Sequence, residues 1–191
     1  GSRRAEIAQV AAEEFSRRGY HSTRVEHIAE RLSVTPGALY RHVPGKYGMV
    51  RDAAATLATE LEAAPLAGSV LTGAPPSLEV MVEAITRTTL RHRTRAPLYR
   101  WQTRYLTPAD RAAVVEVDGR VRRRPADAIR RRRQRRHRDQ PSGSGAAAAA
   151  ILSCIASLGH HRIELSEADA VSLMTSVADD LAMSGPAPRT T

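Results

Sequence analysis

Apolar residues recur along this chain at helical spacing almost throughout. Ile7, Val10, Ala11 and Phe15 fall at i, i+3, i+4 and i+8, which predicts a first helix ending at Gly19. Val25, Ile28, Ala29 and Leu32 mark a second. The run Thr23-Arg24-Val25-Glu26 reads as a capping box opening it, with the Thr hydroxyl on an orphan N–H and Glu26 reaching back. After the break Ser33-Val34-Thr35, an N-cap at Thr35 and Pro36 in the first turn predict a short third helix over residues 36–43. Pro44-Gly45 ends it, and a longer helix is expected over residues 46–64.

Residues 65–76 are rich in Pro, Gly and Ala and read as a linker. Ser77 then caps a helix reaching residue 95, with Leu78, Met81, Val82 and Ile85 inward. A short segment over residues 98–106 follows. Thr107-Pro108-Ala109-Asp110 starts another helix carrying Val114, Val117 and Val121, which Pro125 is expected to kink or break. A very basic stretch over 126–138, a flexible break over 140–145, an apolar helix over 146–158 and a last helix over 167–183 capped by Ser166 complete the pattern. No strand-like alternation of any length occurs. The expectation is an all-α chain: a helix-turn-helix domain over residues 3–50, a helical domain over 51–184, and a frayed tail over 185–191.

Composition narrows this picture. The 191 residues are 42% hydrophobic but only 4% aromatic, so the core must be aliphatic and Ala-rich. One cysteine excludes a disulfide framework and a thiolate zinc cluster. No apolar run approaches the length of a membrane span, and the amphipathic pattern begins at once, unlike a signal peptide. A cytoplasmic location is the expectation. The net charge of +9 suggests an anionic partner. Its distribution matters more, because residues 1–64 carry a net +1, residues 65–140 a net +11 and residues 141–191 a net −3. Lys46 is the only lysine.

Two short helices joined by Leu32-Ser33-Val34-Thr35 around a seam of Ile28, Ala29, Leu32, Val34 and Leu39 have helix-turn-helix dimensions. The fuller pattern is Gly19-Tyr20, Thr23, Ile28-Ala29, Leu32, Val34, Gly37, Leu39-Tyr40, His42-Val43 and Lys46. It resembles, over roughly residues 5–52, the N-terminal domain of TetR-like (tetracycline-repressor-like) transcriptional regulators. Two positions depart from that family. Val43 stands where an aromatic is commoner, and Gly45 stands where Ser or Asn often precedes the lysine, so the start of the fourth helix is expected to be loosened.

Elementary chemistry points the same way. The Thr35 end of a helix offers N–H groups and a hydroxyl to a phosphate. The resemblance implies that Tyr40, Lys46, His42 and Thr23 clamp the DNA backbone. The face of Pro36, Gly37, Ala38, Tyr40, Arg41 and His42 then meets base edges. Arg41 is its one long donor, and Thr35, Gly37 and Ala38 permit close approach and a thymine-methyl contact. A near-neutral reading domain predicts modest non-specific affinity and a shallow salt dependence.

The resemblance also implies that helices 146–158 and 167–183 build a dimer interface. Small residues at 146–150, Ser153, Ala156, Ser157 and Gly159 would let a partner helix approach. It implies an effector pocket among the middle helices, with Met81, Ile85, Leu98, Tyr99, Trp101, Tyr105 and Val117 as lining candidates. Arg100 and Arg104, with Arg95 near, would suit a carboxylate or a phosphorylated acyl ligand such as an acyl-CoA. The run from Arg130 to Arg138 reads first as a solvated face, and otherwise as a dock for ligand phosphates or nucleic acid. Adjacent His160 and His161 point apart on a helix, so no metal is expected, and no cofactor beyond a small-molecule effector. No nucleophile elbow, phosphate loop, HExxH or carboxylate pair supports an enzyme. The reading is a homodimeric regulator, repressor rather than activator, on a palindromic operator and released by its effector. The rival is a non-specific nucleic-acid-binding protein acting through residues 130–138.

Overall fold

A computed structural model describes residues 2–66, 73–95, 98, 103–135, 143–160 and 164–184. Their elements are α1 (Arg3–Arg18), α2 (Val25–Arg31), α3 (Pro36–Tyr40), α4 (Gly45–Ala63), α5 (Leu78–Arg91), α6 (Pro108–Arg135), α7 (Ser144–His160) and α8 (Glu167–Met183). Single 3-10 turns lie at Ala64–Leu66 and Thr103–Tyr105. The fold is all-α with an N-terminal helix-turn-helix, as the sequence pattern implies.

Packing divides the chain into two units, and they run otherwise than the expected domains 3–50 and 51–184. The first comprises Gly1–Glu60 with His92–Val117, the second Leu61–Arg91 with Asp118–Thr191. Helices α4 and α6 therefore each begin in the first unit and end in the second.

In the first unit, Ile7, Ala11 and Phe15 of α1 meet Ile28 and Ala29 of α2, Leu39 of α3, and Met49, Val50, Ala53 and Ala54 of α4. Leu98, Leu106 and Val114 join this core from the later segment. Thr23 does not cap α2. It is fully buried, and its hydroxyl donates to the carbonyls of Gly19 (2.8 Å) and Glu14 (3.1 Å). Arg24 occupies the N-cap, and its N–H donates to Nδ1 of His27 (3.2 Å). The expected Thr23–Glu26 box is thus displaced by one residue.

Helix α3 stops at Tyr40, earlier than expected, because Pro44 disfavours helical backbone at Val43 and the core claims the Val43 side chain. Gly45 adopts φ of 72°, a left-handed conformation that glycine reaches without a steric penalty. It makes the turn into α4 rather than loosening it. A Cβ at Gly48 would stand 2.9 Å from Cγ1 of Val43, so the absent side chain lets α4 close on the smaller Val43.

In the second unit, α5 packs on α8 and α7, and α7 on α8. The core is Leu78, Met81, Val82 and Ile85 with Ile129, Ala148, Ile151, Ile155, Leu158, Ala170 and Met174. Helix α6 continues through Pro125, so of the expected kink or break the break does not occur. An interior proline costs about 3 kcal/mol, and burial of Pro125, Ala128 and Ile129 outweighs it. Ser77 and Ser166 cap as expected, accepting from the N–H of Val80 and of Asp169.

Candidate nucleic-acid interface

The turn between α2 and α3 is pinned by the Val34 N–H donating to the Ala29 carbonyl (3.0 Å), with Ser33 at φ of 54°. Thr35 caps α3, its hydroxyl oxygen accepting from the Ala38 N–H (3.3 Å), and Pro36 follows at the first turn. Of α3 only Leu39 is buried. Thr35, Gly37, Tyr40, Arg41 and His42 are exposed, and Pro36 and Ala38 are half-buried. Tyr40 shows 52% of its surface, unusual for an aromatic with a core alongside. A Cβ at Gly37 would touch only the Thr35 hydroxyl, at 4.0 Å. A helical glycine costs about 1 kcal/mol relative to alanine, and nothing among the described residues requires it here. Eight of the nine nominated DNA contacts so gather around α3 and the start of α4. Thr23 is the exception, since its buried hydroxyl is committed to two carbonyls and cannot reach a phosphate.

Lys46 extends the same surface. Its Nζ donates to the His21 carbonyl (3.2 Å) and lies 4.6 Å from the centre of the Tyr20 ring. Partial burial lowers its pKa below the ordinary lysine value. Of the three donors of the ammonium, this geometry uses one on protein oxygen.

A second network sets α1 against α2. The Glu14 carboxylate is 1% exposed and accepts from Arg17 (2.9 Å), Arg18 (2.7 Å) and Arg31 (3.3 Å). Burial pushes this carboxyl up, but the hydrogen bonds from Arg17 and Arg18 outweigh that and hold it below its usual value. Tyr47 at the head of α4 donates to Asp110 and accepts from the Thr107 N–H (3.0 Å). The bond from Tyr47 holds the Asp110 carboxyl below its ordinary range. Sequence reasoning found neither Glu14 nor Tyr47. Glu14 had a signal, because it lies on the apolar stripe of α1 with arginines three and four residues on.

The described pocket candidates are divided between the two units. Met81 and Ile85 are buried in the second unit, whereas Leu98 lies in the core of the first. Val117 is half-buried in the first unit. Tyr105 stacks on Tyr20, and Arg104 lies over the Tyr105 ring and donates to its hydroxyl. Tyr99, Arg100 and Trp101 lie outside the described residues. The second unit holds a cavity of about 540 Å³ lined by Leu66, Pro75, Met81, Arg124, Asp127 and Arg131 among others, so Met81 alone of the candidates borders it.

The arginine run is also not simply solvated. Arg133 is buried, donating from Nε to the Ala182 carbonyl (2.8 Å) and from Nη2 to that of Ser184 (2.5 Å). It thereby covers the carbonyl end of α8. Arg132 bridges Glu79 (2.8 Å) and Asp179 (2.6 Å), and Arg130 pairs with Asp127 (2.7 Å). Arg136, His137 and Arg138 lie outside the described residues, as do His161 and the side chain of His160. Among the described residues no helix is long and apolar enough to cross a membrane.

Residues 7–53 match the model of bacterial regulatory proteins of the tetR family. No curated protein matches the chain significantly. Among solved structures, the fold is similar to the TetR-family transcriptional regulator PfmR from Thermus thermophilus, with TM-score 0.76 and 19% identity over 92% of this chain and 96% of that one. A tetR-family bacterial regulatory protein from Rhodococcus RHA1 gives 0.73 and 19% over 95% and 96%. AibR, solved with isovaleryl coenzyme A and operator DNA, gives 0.70 and 17% over 92% and 97%. Residues 7–53 of this chain are thus similar in sequence to the tetR family of bacterial regulatory proteins, and its fold is shared with solved regulators of that family.

Proposed function

We propose that the protein is a homodimeric transcriptional repressor acting in the cytoplasm, which binds a palindromic operator through α3 and lets go when an effector binds. The observation that carries this reading is the α3 surface. A five-residue helix keeps one side chain for the core and presents Thr35, Gly37, Tyr40, Arg41 and His42 outward beside Lys46. Arg41 takes a guanine edge, Tyr40, His42 and Lys46 take phosphates, and Pro36, Gly37 and Ala38 let the backbone close on the groove. Two-fold pairing through α7 and α8 sets two such helices about 34 Å apart. Exposed Leu173 on α8, with Ala146, Ser153 and Ala156 on α7, supports this pairing.

The cavity of the second unit supports an amphipathic anionic effector. Leu66, Pro75 and Met81 offer apolar wall, and Arg131 offers cationic donors, beside an Arg124 that already donates to the Glu62 carbonyl. The arginine run does not favour the non-specific rival, because Arg130, Arg132 and Arg133 are already engaged with protein acceptors.

The test is selection of bound duplexes from a randomised pool, with the stoichiometry of the retained complex. The expected result is an enriched palindrome bound by two chains, and loss of both pairing and binding in Leu173→Asp. Retention of arbitrary sequences by single chains overturns the proposal.

A further inference from the structure

Lys46 is held by two groups, the His21 carbonyl and the face of the Tyr20 ring. Neither is independent of the segment before α6. Tyr105 stacks on Tyr20 with ring centres 4.9 Å apart and an interplanar angle of 24°. It also meets the His21 ring in a T-shaped contact at 4.9 Å and 88°. Phe15 backs Tyr20 at 5.6 Å from the core side. Arg104 lies over the Tyr105 ring at 5.0 Å, and Nη2 donates to its hydroxyl (3.2 Å). The order of contacts is therefore Arg104, Tyr105, the Tyr20–His21 pair, and Lys46.

We infer that Tyr105 is a positioning residue for the Lys46 phosphate contact, fixing the ammonium through the Tyr20 ring and the His21 carbonyl. This rests on the DNA-binding reading above. A long, flexible lysine side chain loses about 2 kcal/mol of rotamer freedom when it is fixed, so an ammonium already seated on a ring and a carbonyl reaches a phosphate at less cost. The seat depends on the ring staying in place. Tyr20 and His21 lie in the link between α1 and α2, and the Tyr105 ring packs against both. The location has a consequence for control. Thr103–Tyr105 leads through Thr107 into α6, which continues into the unit holding the cavity. Tyr105 thus stands on the covalent path from the cavity to the phosphate-binding cation, one aromatic contact from its end.

Because Lys46 is the only lysine, lysine labelled at Cε and Nζ gives one side-chain signal in the full chain. The expected spectrum shows it displaced by the Tyr20 ring, with cross-relaxation from Lys46 to Tyr20 and from Tyr20 to Tyr105. Tyr105→Leu should return it toward the free-lysine position, and Tyr105→Phe, which keeps the stack, should not. On a duplex enriched by the wild type, Tyr105→Leu should bind on the order of tenfold more weakly, and the slope of log affinity on log salt should fall by about 0.9, one phosphate. Adding Lys46→Ala to Tyr105→Leu should then cost nothing further. A Lys46 signal unmoved by Tyr105→Leu, or additive losses in the double variant, overturns the inference. Absence of the two cross-relaxation contacts in the wild type overturns it even if Tyr105→Leu fails to fold. A wild type that enriches no duplex refutes the DNA-binding reading, and the Lys46 signal still decides whether Tyr105 seats the ammonium.

Discussion

Replacing Glu14 by glutamine keeps the shape of the side chain and removes the charge that three arginines share. The carboxylate is 1% exposed, whereas the partner side chains of Arg17, Arg18 and Arg31 are 60%, 37% and 42% exposed. A fully buried pair broken on one side costs about 3–5 kcal/mol. Here water screens each arginine, and exposed pairs are worth about 0.2–1 kcal/mol each. Three such pairs, plus amide hydrogens now facing guanidinium groups, give a loss of about 2 kcal/mol. For a chain of this length that lowers Tm by about 4–8 °C. The pH dependence has a definite sign. The folded carboxyl titrates below its unfolded value. Its stabilisation is therefore present above the ordinary carboxylate pKa and is lost as pH falls through the depressed folded value. Urea unfolding followed by circular dichroism, for wild type and Glu14→Gln at neutral pH and near pH 3, measures both effects. The gap should be about 2 kcal/mol at neutral pH and should shrink in acid. A neutral gap below about 0.5 kcal/mol, or one that persists in acid, would falsify the assignment of Glu14 as the charged anchor between α1 and α2.

Thr23→Val should lower stability by about 1–2 kcal/mol while the folded protein keeps its affinity for DNA; a selective loss of binding at unchanged Tm would restore Thr23 as a phosphate contact. Arg133→Met should cost about 2–3 kcal/mol, from charge-assisted bonds and the end of the α8 dipole less the relief of a buried cation. Calorimetry checks this, and an unchanged Tm would mean that Arg133 does not cap α8.

Much of this was legible in the sequence because it depends on neighbours along the chain. Ser77, Thr35 and Ser166 cap through their own next turn, so their spacing announces them. The seam of Ile28, Ala29 and Leu39 likewise follows from period and breaks. What escaped depends on contacts distant in sequence. Thr23 has the composition of a cap, yet Glu14 and Gly19 compete for its hydroxyl from the preceding helix. Pro125 reads as a break until the burial of Ala128 and Ile129 is counted. Arg133 sits in a run that looks solvated, and only the arrival of α8 gives its guanidinium three carbonyls to cover. Tyr105 has the look of a pocket aromatic and stacks instead on Tyr20, a contact no periodicity encodes. The exposure of the α3 residues was legible because they face outward by default once Leu39 is committed to the core.

Under the proposed function, residues 35–46, not the arginine run, read the nucleic acid. The most direct test is the ratio of affinities, by fluorescence anisotropy, for an enriched duplex and its shuffled counterpart. Three proteins suffice: wild type, Tyr40→Ala with Lys46→Ala, and a variant with Arg130, Arg131 and Arg135 changed to glutamine. The wild type should prefer its duplex by about 10³ or more; the α3–α4 variant should lose most of that preference, and the arginine variant should keep it. Preference retained without Tyr40 and Lys46, and lost with the three arginines, would contradict the account.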